Sequence, residues 1–291
     1  MNAIRPQRDI GAERVVAELR RRCPSPASFF GGIVREAIDE MLDGPRTGRY
    51  RFAQLDKVEK AYIGIKLEIL VRARLRLERG QLLDLRVGAE EVDVKWSMSS
   101  SWEIPIEAVD RLCLCIGGVA DLTRFKVGLV RAETRFLSVS QNRDRKRKLN
   151  ALGRTSMELL VPPTELPRNF LATLEEDEVE RIMAGRSIQE RVTALFSAHL
   201  RTPIPRDAVR TVARTEGDPI RRTRRDKSKR QEPLPGLEVL STKYGRDVAR
   251  ELGLGDLPPD HFMAIPRSDL SRLAPAQRRR LSVATRSRLG L

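Results

Sequence analysis

Residues 82–98 have the sequence LLDLRVGAEEVDVKWSM, in which two runs alternate in the manner of β-strands around a turn at Gly88. Alternation places Asp93 and Lys95 on one face of the second run, with valines on the other face. The spacing suits a hairpin that returns Asp84, from the first run, beside Asp93. The stretch therefore predicts two aspartates and a lysine held together on adjacent strands.

Periodicity on either side of this stretch predicts an α/β fold. Residues 10–42 show the spacing of two helices, and residues 54–76 that of one long amphipathic helix. Apolar runs at 111–120 and 124–132 predict further strands. We expect a mixed sheet flanked by helices. The apolar positions at helical spacing in the long helix are Leu55, Val58, Tyr62, Ile65, Ile69 and Leu70.

The second half of the chain has a different pattern. Three prolines within residues 161–170 predict an interdomain connection. Helical patterns follow from residue 174, and residues 234–245 (LPGLEVLSTKYG) predict a short strand pair. Helices followed by a small hairpin outline a mainly helical winged helix-turn-helix domain. The expected boundaries are 1–160 for the first domain, 161–170 for the connection, 171–265 for the second domain and 266–291 for a basic C-terminal tail.

The composition points to a polyanionic partner and a reducing compartment. The 291 residues carry 55 Lys+Arg against 40 Asp+Glu, a net charge of +15, which favours nucleic acid or an anionic membrane. A basic protein that is merely well solvated is the alternative. The three cysteines have neither zinc-ligand spacing nor a disulfide pattern. Without a signal peptide or an apolar run of 18 residues, we expect a cytoplasmic protein with no membrane contact.

The acidic residues near the predicted hairpin suit phosphodiester hydrolysis. That reaction needs a positioned water of lowered pKa and positive charge to stabilise the transition state. Clustered carboxylates hold Mg²⁺, which does both. Asp84, Asp93 and Glu68, near the end of the long helix, could form the metal site, and Lys95 could orient or deprotonate the attacking water.

The acid-x-lysine pattern alone does not select this site. Chance gives about one such triplet in a chain of this composition, and Asp144-Arg145-Lys146 is a second. An ordinary exposed edge strand would also explain Asp93 and Lys95. The second triplet lies in the polar run QNRDRKRKL, where contact with backbone phosphates is the alternative role.

Three blocks around these residues resemble the NaeI family of type II restriction endonucleases. They are MLDGPRTGRYRFAQLDKVEKAYIGIKLEI, VDVKWSMS and QNRDRKRKL, in order between residues 36 and 150. A weaker resemblance continues to about residue 265. It implies a restriction-endonuclease-like core in which Glu68, Asp84, Asp93 and Lys95 are catalytic, with the three acids binding Mg²⁺. It also implies a winged-helix domain, a homodimer, and activation by a second DNA site.

The resemblance makes double-stranded DNA the expected partner, with a cognate DNA methyltransferase as a genetic partner. Its departures fall after Lys95 and around residues 205–226, so the chemistry is better supported than any recognition sequence. The candidate DNA contacts are Ser97, Ser99, Asn142, Arg143, Arg145, Lys146, Arg147, Lys148, Arg221, Arg222, Arg224 and Arg225.

Two other functions remain open from the sequence. One is an endonuclease that nicks DNA or depends on a modification or mismatch, in defence or repair. The other is a DNA-binding regulator that keeps the fold without catalysis. Cleavage of methylated and unmethylated plasmid separates the first from restriction, and substitution of Asp93 separates the second.

Overall fold

A computed structural model describes residues 9–119, 122–220 and 234–291 of the chain. It divides into two compact units, of which the first runs to Met41 and resumes from Leu55 to Arg168. The second contains Leu42–Gln54 and the described residues from Asn169 onward. Among the described residues, none of the helices has the length and apolarity needed to cross a membrane.

Three helices of the first unit match the helical periodicity. They are α1 (Ile10–Arg22), α2 (Pro26–Leu42) and α4 (Lys57–Arg74), and a single turn, α3 (Gly44–Thr47), follows α2. The α4 helix begins with a capping box, in which Asp56 and Glu59 each accept a hydrogen bond from the other's backbone N–H. The start of α4, and hence the position of Glu68 along it, is fixed locally.

The strands of the first unit form a mixed five-stranded sheet in the order β1-β2-β4-β5-β8. The β2–β4 pair is parallel and the other pairs are antiparallel. The hairpin expected at residues 82–98 is confirmed as β1–β2. The strands are β1 (Leu85–Val87), β2 (Glu90–Ser97), β4 (Leu112–Val119), β5 (Arg124–Arg131) and β8 (Glu158–Glu165).

The register of β2 and β4 decides which face carries the polar pair. Asp93 is the Cα partner of Cys113, and Lys95 that of Cys115, so these four side chains share one face of the sheet. Both cysteines are completely buried in an apolar cluster that includes Trp102. The side chains of Asp93 and Lys95 therefore lie next to this apolar cluster.

A second, three-stranded sheet covers this cluster, and its order is β3-β7-β6. Its strands are β3 (Glu103–Ile104), β6 (Leu137–Gln141) and β7 (Arg147–Leu149), followed by helix α5 (Ala151–Thr155). The sequence pattern did not predict this sheet because its strands are short and polar at their outer ends.

Four of the six apolar positions expected to bury the long helix face solvent instead, whereas Leu55 and Leu70 are buried. The helix packs through Ile63, Leu67, Leu70 and Val71. Ile65 is 51% exposed, and every exposed position from Val58 to Ala73 is uncharged. Both faces of the helix are apolar, and periodicity alone could not tell which one meets the core. The exposed members of the expected stripe are Val58, Tyr62, Ile65 and Ile69.

The expected connection at 161–170 is wrong for its first half, because residues up to Glu165 belong to β8. Strand β8 lies at the edge of the sheet, where a proline has no ladder partner on its outer side. Pro162 and Pro163 are therefore compatible with the strand. Their presence made the sequence resemble a linker.

The second unit contains helices α6 (Glu176–Met183), α7 (Ile188–Ala198) and α8 (Arg206–Ala213), and a three-stranded sheet of order β10-β11-β9. The helices and sheet share one core, which includes Val192, Leu195 and Phe262. The strands are β9 (Ile204–Pro205), β10 (Leu237–Ser241) and β11 (His261–Pro266), with α9 (Arg246–Glu251) between the last two.

Two expectations for this unit are corrected. The strand at 237–241 pairs with β11, twenty residues further on, rather than within residues 234–245. The segment after 266 contains helices instead of a bare tail, because Leu270, Leu273 and Leu281 are buried in a second apolar cluster. These helices are α10 (Arg267–Ser271), α11 (Pro275–Arg280) and α12 (Val283–Leu289).

Residues 42–54 depart from the expected continuous domain 1–160, because they pack into the second unit. Tyr50 is buried in its core beside residues of α6 and α7. Gly44 approaches Thr211 of α8 so closely that a Cβ at this position would lie 2.2 Å from the threonine hydroxyl. The RTGRYRF part of the family-like block therefore belongs to the second unit.

Candidate active site

Asp93 and Lys95 form a buried ion pair on β2. Lys95 Nζ lies 2.6 Å from Asp93 Oδ2, and the Asp93 side chain is only 6% exposed. Apart from the Lys95 ammonium, no N–H or O–H of the described residues donates a hydrogen bond to this oxygen. A buried carboxylate oxygen with unused acceptor capacity is a suitable ligand for a cation.

Asp84 lies immediately before β1, across the hairpin from Asp93. Its Oδ2 accepts a hydrogen bond from the backbone N–H of Val94 at 2.7 Å. This bond fixes the Asp84 carboxylate against β2, within hydrogen-bonding reach of the Asp93 carboxyl group. The structure thus brings together Asp84, Asp93 and Lys95, as the alternation and spacing predicted.

Glu91 holds the segment that precedes Asp84, a role the sequence analysis missed. Its carboxylate accepts hydrogen bonds from the backbone N–H groups of Leu82 and Leu83 at 3.1 and 3.2 Å, and from that of Gln81. These bonds lower the pKa of Glu91. Glu91 shares the alternation of Asp93 and Lys95, which was the available signal. It positions Asp84 without belonging to the carboxylate pair.

Glu68 lies on α4 at the margin of this group. Its carboxylate is 3.4 Å from the guanidinium of Arg72, one turn along the helix. Burial and the nearby Asp84 carboxylate raise the pKa of Glu68, and the positive charges of Arg72 and Lys95 oppose that shift. The structure therefore places Glu68 within electrostatic range of the other three residues.

Burial and the neighbouring charges act together on the pKa values of Asp93 and Lys95. Burial raises the pKa of Asp93 to about 6, with Asp84 adding to the shift and Lys95 opposing it. Burial alone would lower the pKa of Lys95, but Asp93 and Asp84 outweigh it and the pKa is raised. Lys95 is therefore an ammonium ion near neutral pH, suited to stabilising negative charge rather than to accepting a proton.

Asp84 and Asp93 provide two carboxylates that suit Mg²⁺ as ligands. Among the described residues no group of three or more Asp, Glu, His or Cys side chains converges into a metal site. Mg²⁺ often keeps several waters and binds through only one or two carboxylates together with substrate phosphate. The paired Asp84 and Asp93 carboxylates meet that requirement, because Lys95 is the one donor to Asp93 Oδ2 among the described residues.

The second acid-x-lysine triplet lies at the exposed tip of the β6–β7 hairpin. Asn142 organises this turn, because its Oδ1 accepts hydrogen bonds from the backbone N–H groups of Asp144 and Lys146 and its Nδ2 donates to Glu103. Arg147 donates through Nε to the backbone carbonyl of Ser138. Asn142 and Arg147 are thus committed to structure. The exposed cations of the hairpin are Arg143, Arg145 and Lys148, whereas Lys146 is partly buried.

The remaining predicted DNA contacts fall into two groups. Ser97 accepts hydrogen bonds from the backbone N–H groups of Ser99 and Ser101 through its hydroxyl, which shapes the loop after β2. Ser99 is exposed on that loop. The four predicted contacts that lie outside the described residues are Arg221, Arg222, Arg224 and Arg225.

Comparisons with known proteins identify the family of the chain. The family model described as restriction endonuclease NaeI matches residues 13–272 of the chain. A type II restriction enzyme NaeI from Lentzea aerocolonigenes is 31% identical, over 95% of this chain and 91% of the relative. The match includes the β1–β2 hairpin, the α4 helix and most of the second unit. The chain belongs to the NaeI family of restriction endonucleases, and by that membership it is a type II site-specific deoxyribonuclease.

Proposed function

We propose that the chain cleaves duplex DNA with Mg²⁺ at the group formed by Asp84, Asp93, Lys95 and Glu68. The observation that carries this proposal is the buried Asp93–Lys95 pair with Asp84 hydrogen-bonded beside it. An ordinary edge strand would leave an acid and a lysine in solvent. Here the lysine is kept charged and the aspartate desolvated, which is typical of groups tuned for chemistry.

Asp84 and Asp93 would hold the metal ion, which when bound supplies positive charge to the scissile phosphate and lowers the pKa of a water. Lys95, as an ammonium ion, stabilises negative charge on the phosphate and orients the attacking water by hydrogen bonding. Glu68, at the margin, would accept a hydrogen bond from a water of the metal's hydration shell. Each residue thus has a distinct role.

Supercoiled plasmid provides the test of this proposal. Wild type is expected to linearise it with Mg²⁺ and to be inactive with EDTA, whereas D93N and K95A lose activity on the order of 10³-fold. E107Q, at an exposed glutamate outside both triplets, is the control and should retain activity. An active D93N variant with normal Mg²⁺ binding would favour a non-catalytic role for the cluster. Nicked products alone would favour the nicking alternative.

We propose that the second unit is a winged-helix DNA-binding domain. In support, strand β9 lies between helices α7 and α8 in the chain, and β10 and β11 follow them. In the sheet, β11 lies between β9 and β10. In a winged helix the last two strands form the wing and the first strand joins their sheet. The family resemblance suggests that a second DNA site bound by this unit activates cleavage at the first.

A single-site plasmid tests this activation. A short duplex that contains the recognition sequence, with an uncleavable linkage at the scissile bond, is added in increasing concentration. Faster plasmid cleavage supports an effector site, and simple competitive inhibition rejects it. A duplex of scrambled sequence serves as the control.

The uncharged exposed face of α4 supports a homodimer. A surface helix normally carries charge at its most exposed positions, yet Val58, Tyr62, Ile65 and Ile69 occupy them here. Such a face can match a second copy of itself around a two-fold axis. Two copies would also supply one catalytic group for each DNA strand. A methyltransferase that protects the host's own sites would be the genetic partner.

A further inference from the structure

The β6–β7 hairpin contains a bulge that displays one apolar side chain. Leu137 pairs with Leu149, and Gln141 with Arg147, so residues 138–140 of β6 face only Lys148 of β7. The extra residues bend the strand outward. Val139, in the middle of the bulge, is 97% exposed.

Specific contacts hold this bulge in place. The Ser138 hydroxyl donates to the carbonyl of Ser140 at 2.8 Å and accepts from the backbone N–H of Lys148 at 3.0 Å. The Arg147 guanidinium donates to the Ser138 carbonyl. A bulge stabilised by three side-chain hydrogen bonds is a means of re-aiming a side chain. The side chain aimed outward here is Val139.

The residues around Val139 indicate which kind of partner it contacts. Single exposed apolar residues are common and ordinarily need no explanation. This one lies on a hairpin in which Arg143, Arg145 and Lys148 are exposed and have no ion-pair partner among the described residues. Because β6 is an edge strand of its sheet, the strand and these cations fit against a DNA groove and the phosphates beside it.

We propose that Val139 is a specificity-determining residue that contacts the C5 edge of a pyrimidine in the major groove. Strands at the surface of a sheet enter that groove in several DNA-binding folds, and the C5 edge, with the thymine methyl, is the apolar feature displayed there. Valine cannot read the hydrogen-bonding pattern of a base, so an apolar edge is its match. The inference rests on the proposed cleavage of duplex DNA.

The test uses the recognition site after it has been mapped from cleaved ends. Duplexes are prepared in which each pyrimidine of the site and its flanks is altered only at C5, with uracil for thymine or 5-methylcytosine for cytosine. Cleavage is measured for wild type, V139A, the isosteric V139T, and V283A. Val283 is the control because its side chain is also largely exposed, at 74%, and it lies in the second unit.

For V139A we expect kcat/KM on the unmodified site to fall about ten-fold, with V139T similar and V283A unchanged. At one pyrimidine of the site, the C5 change should alter the cleavage rate of wild type several-fold. The same change should alter the cleavage rate of V139A very little, because the effects of removing two groups in contact are not additive. Circular dichroism of each variant should match wild type, because the position is solvent-exposed.

Two results would overturn the inference. In one, V139A cleaves every duplex as wild type does. In the other, it loses activity equally on all of them, which would make Val139 a contact for sugar or protein. If wild type cleaves no duplex at all, the proposed function itself has failed, and the two failures are thereby distinguished.

Discussion

At the scale of single residues, the position of Asp84 depends on two residues that touch no metal or substrate in the proposed chemistry. Val94 donates its backbone N–H to Asp84, and Glu91 fixes the segment just before Asp84. Alternation predicted the common face of Asp93 and Lys95. It could not reveal the role of Glu91, because that role depends on how residues 81–83 fold back onto β2.

Replacing Glu91 by glutamine should impair catalysis more than folding. The amide keeps one acceptor oxygen but loses the charge that holds several N–H groups. We expect kcat to fall roughly 10–100-fold, from loss of positioning, with KM for DNA little changed and Tm a few degrees lower. E107Q, at an exposed glutamate, is the control. Normal kcat in E91Q would show that Asp84 is positioned by other contacts.

The raised pKa of Asp93 predicts a pH dependence. The deprotonated carboxylate is the form that would bind Mg²⁺, and burial raises its pKa to about 6. A proton therefore displaces the metal as pH falls through that value. At sub-saturating Mg²⁺, kcat/KM should fall about ten-fold per pH unit below 6, and added Mg²⁺ should move this limb to lower pH. A limb near 4, insensitive to Mg²⁺, would contradict the desolvated state of Asp93.

At the scale of elements, periodicity located most helices and strands but could not identify their neighbours. The α4 stripe was assigned to the core although the opposite face is buried. Strand β8 was taken for a linker because its prolines are tolerated only at a sheet edge, which the sequence does not display. The partner of β10 lies beyond an inserted helix. Each error concerns tertiary context rather than local pattern.

Arg191 shows how the second unit holds its elements together. Its guanidinium donates to the carbonyls of Val212, Ala213 and Gly185 at 2.7, 3.1 and 2.9 Å, and so closes the C-terminal end of α8. Replacing Arg191 by methionine should lower the free energy of unfolding by about 2–4 kcal/mol, because buried carbonyls lose their donors. Denaturant melts would measure this, with exposed R181M as the control. A loss below about 0.5 kcal/mol would mean that water replaces the guanidinium.

At the scale of the whole molecule, the chain combines a mixed α/β unit that contains Asp84, Asp93 and Lys95 with a second unit that includes residues 42–54. No sequence pattern indicated that residues 42–54 pack into the second unit, because the segment lies within a block that resembles one family throughout. The fold class and the proximity of Asp84, Asp93 and Lys95 were accessible from sequence because they depend on short-range alternation and on a long signature. Assembly and DNA recognition depend on exposed surfaces, which sequence periodicity does not distinguish from cores.

The exposed face of α4 leads to a prediction about assembly. Ile65 is at the centre of that face and is half-exposed, so I65E should fold normally and shift the protein from dimer to monomer. Analytical ultracentrifugation of wild type, I65E and the control V283E would show this at equal concentration. A wild-type monomer would reject the homodimer, and a dimeric I65E would reject α4 as its interface.

The central claim is that Asp84, Asp93 and Lys95 perform site-specific cleavage of duplex DNA. Sequencing the ends of genomic DNA digested by wild type and by D93N tests it most directly. We predict that wild-type ends with Mg²⁺ share one recurring sequence at a fixed distance from the cut, and that D93N yields no such ends while still binding the duplex. Recurring ends from D93N, or wild-type ends without a common sequence, would contradict the account.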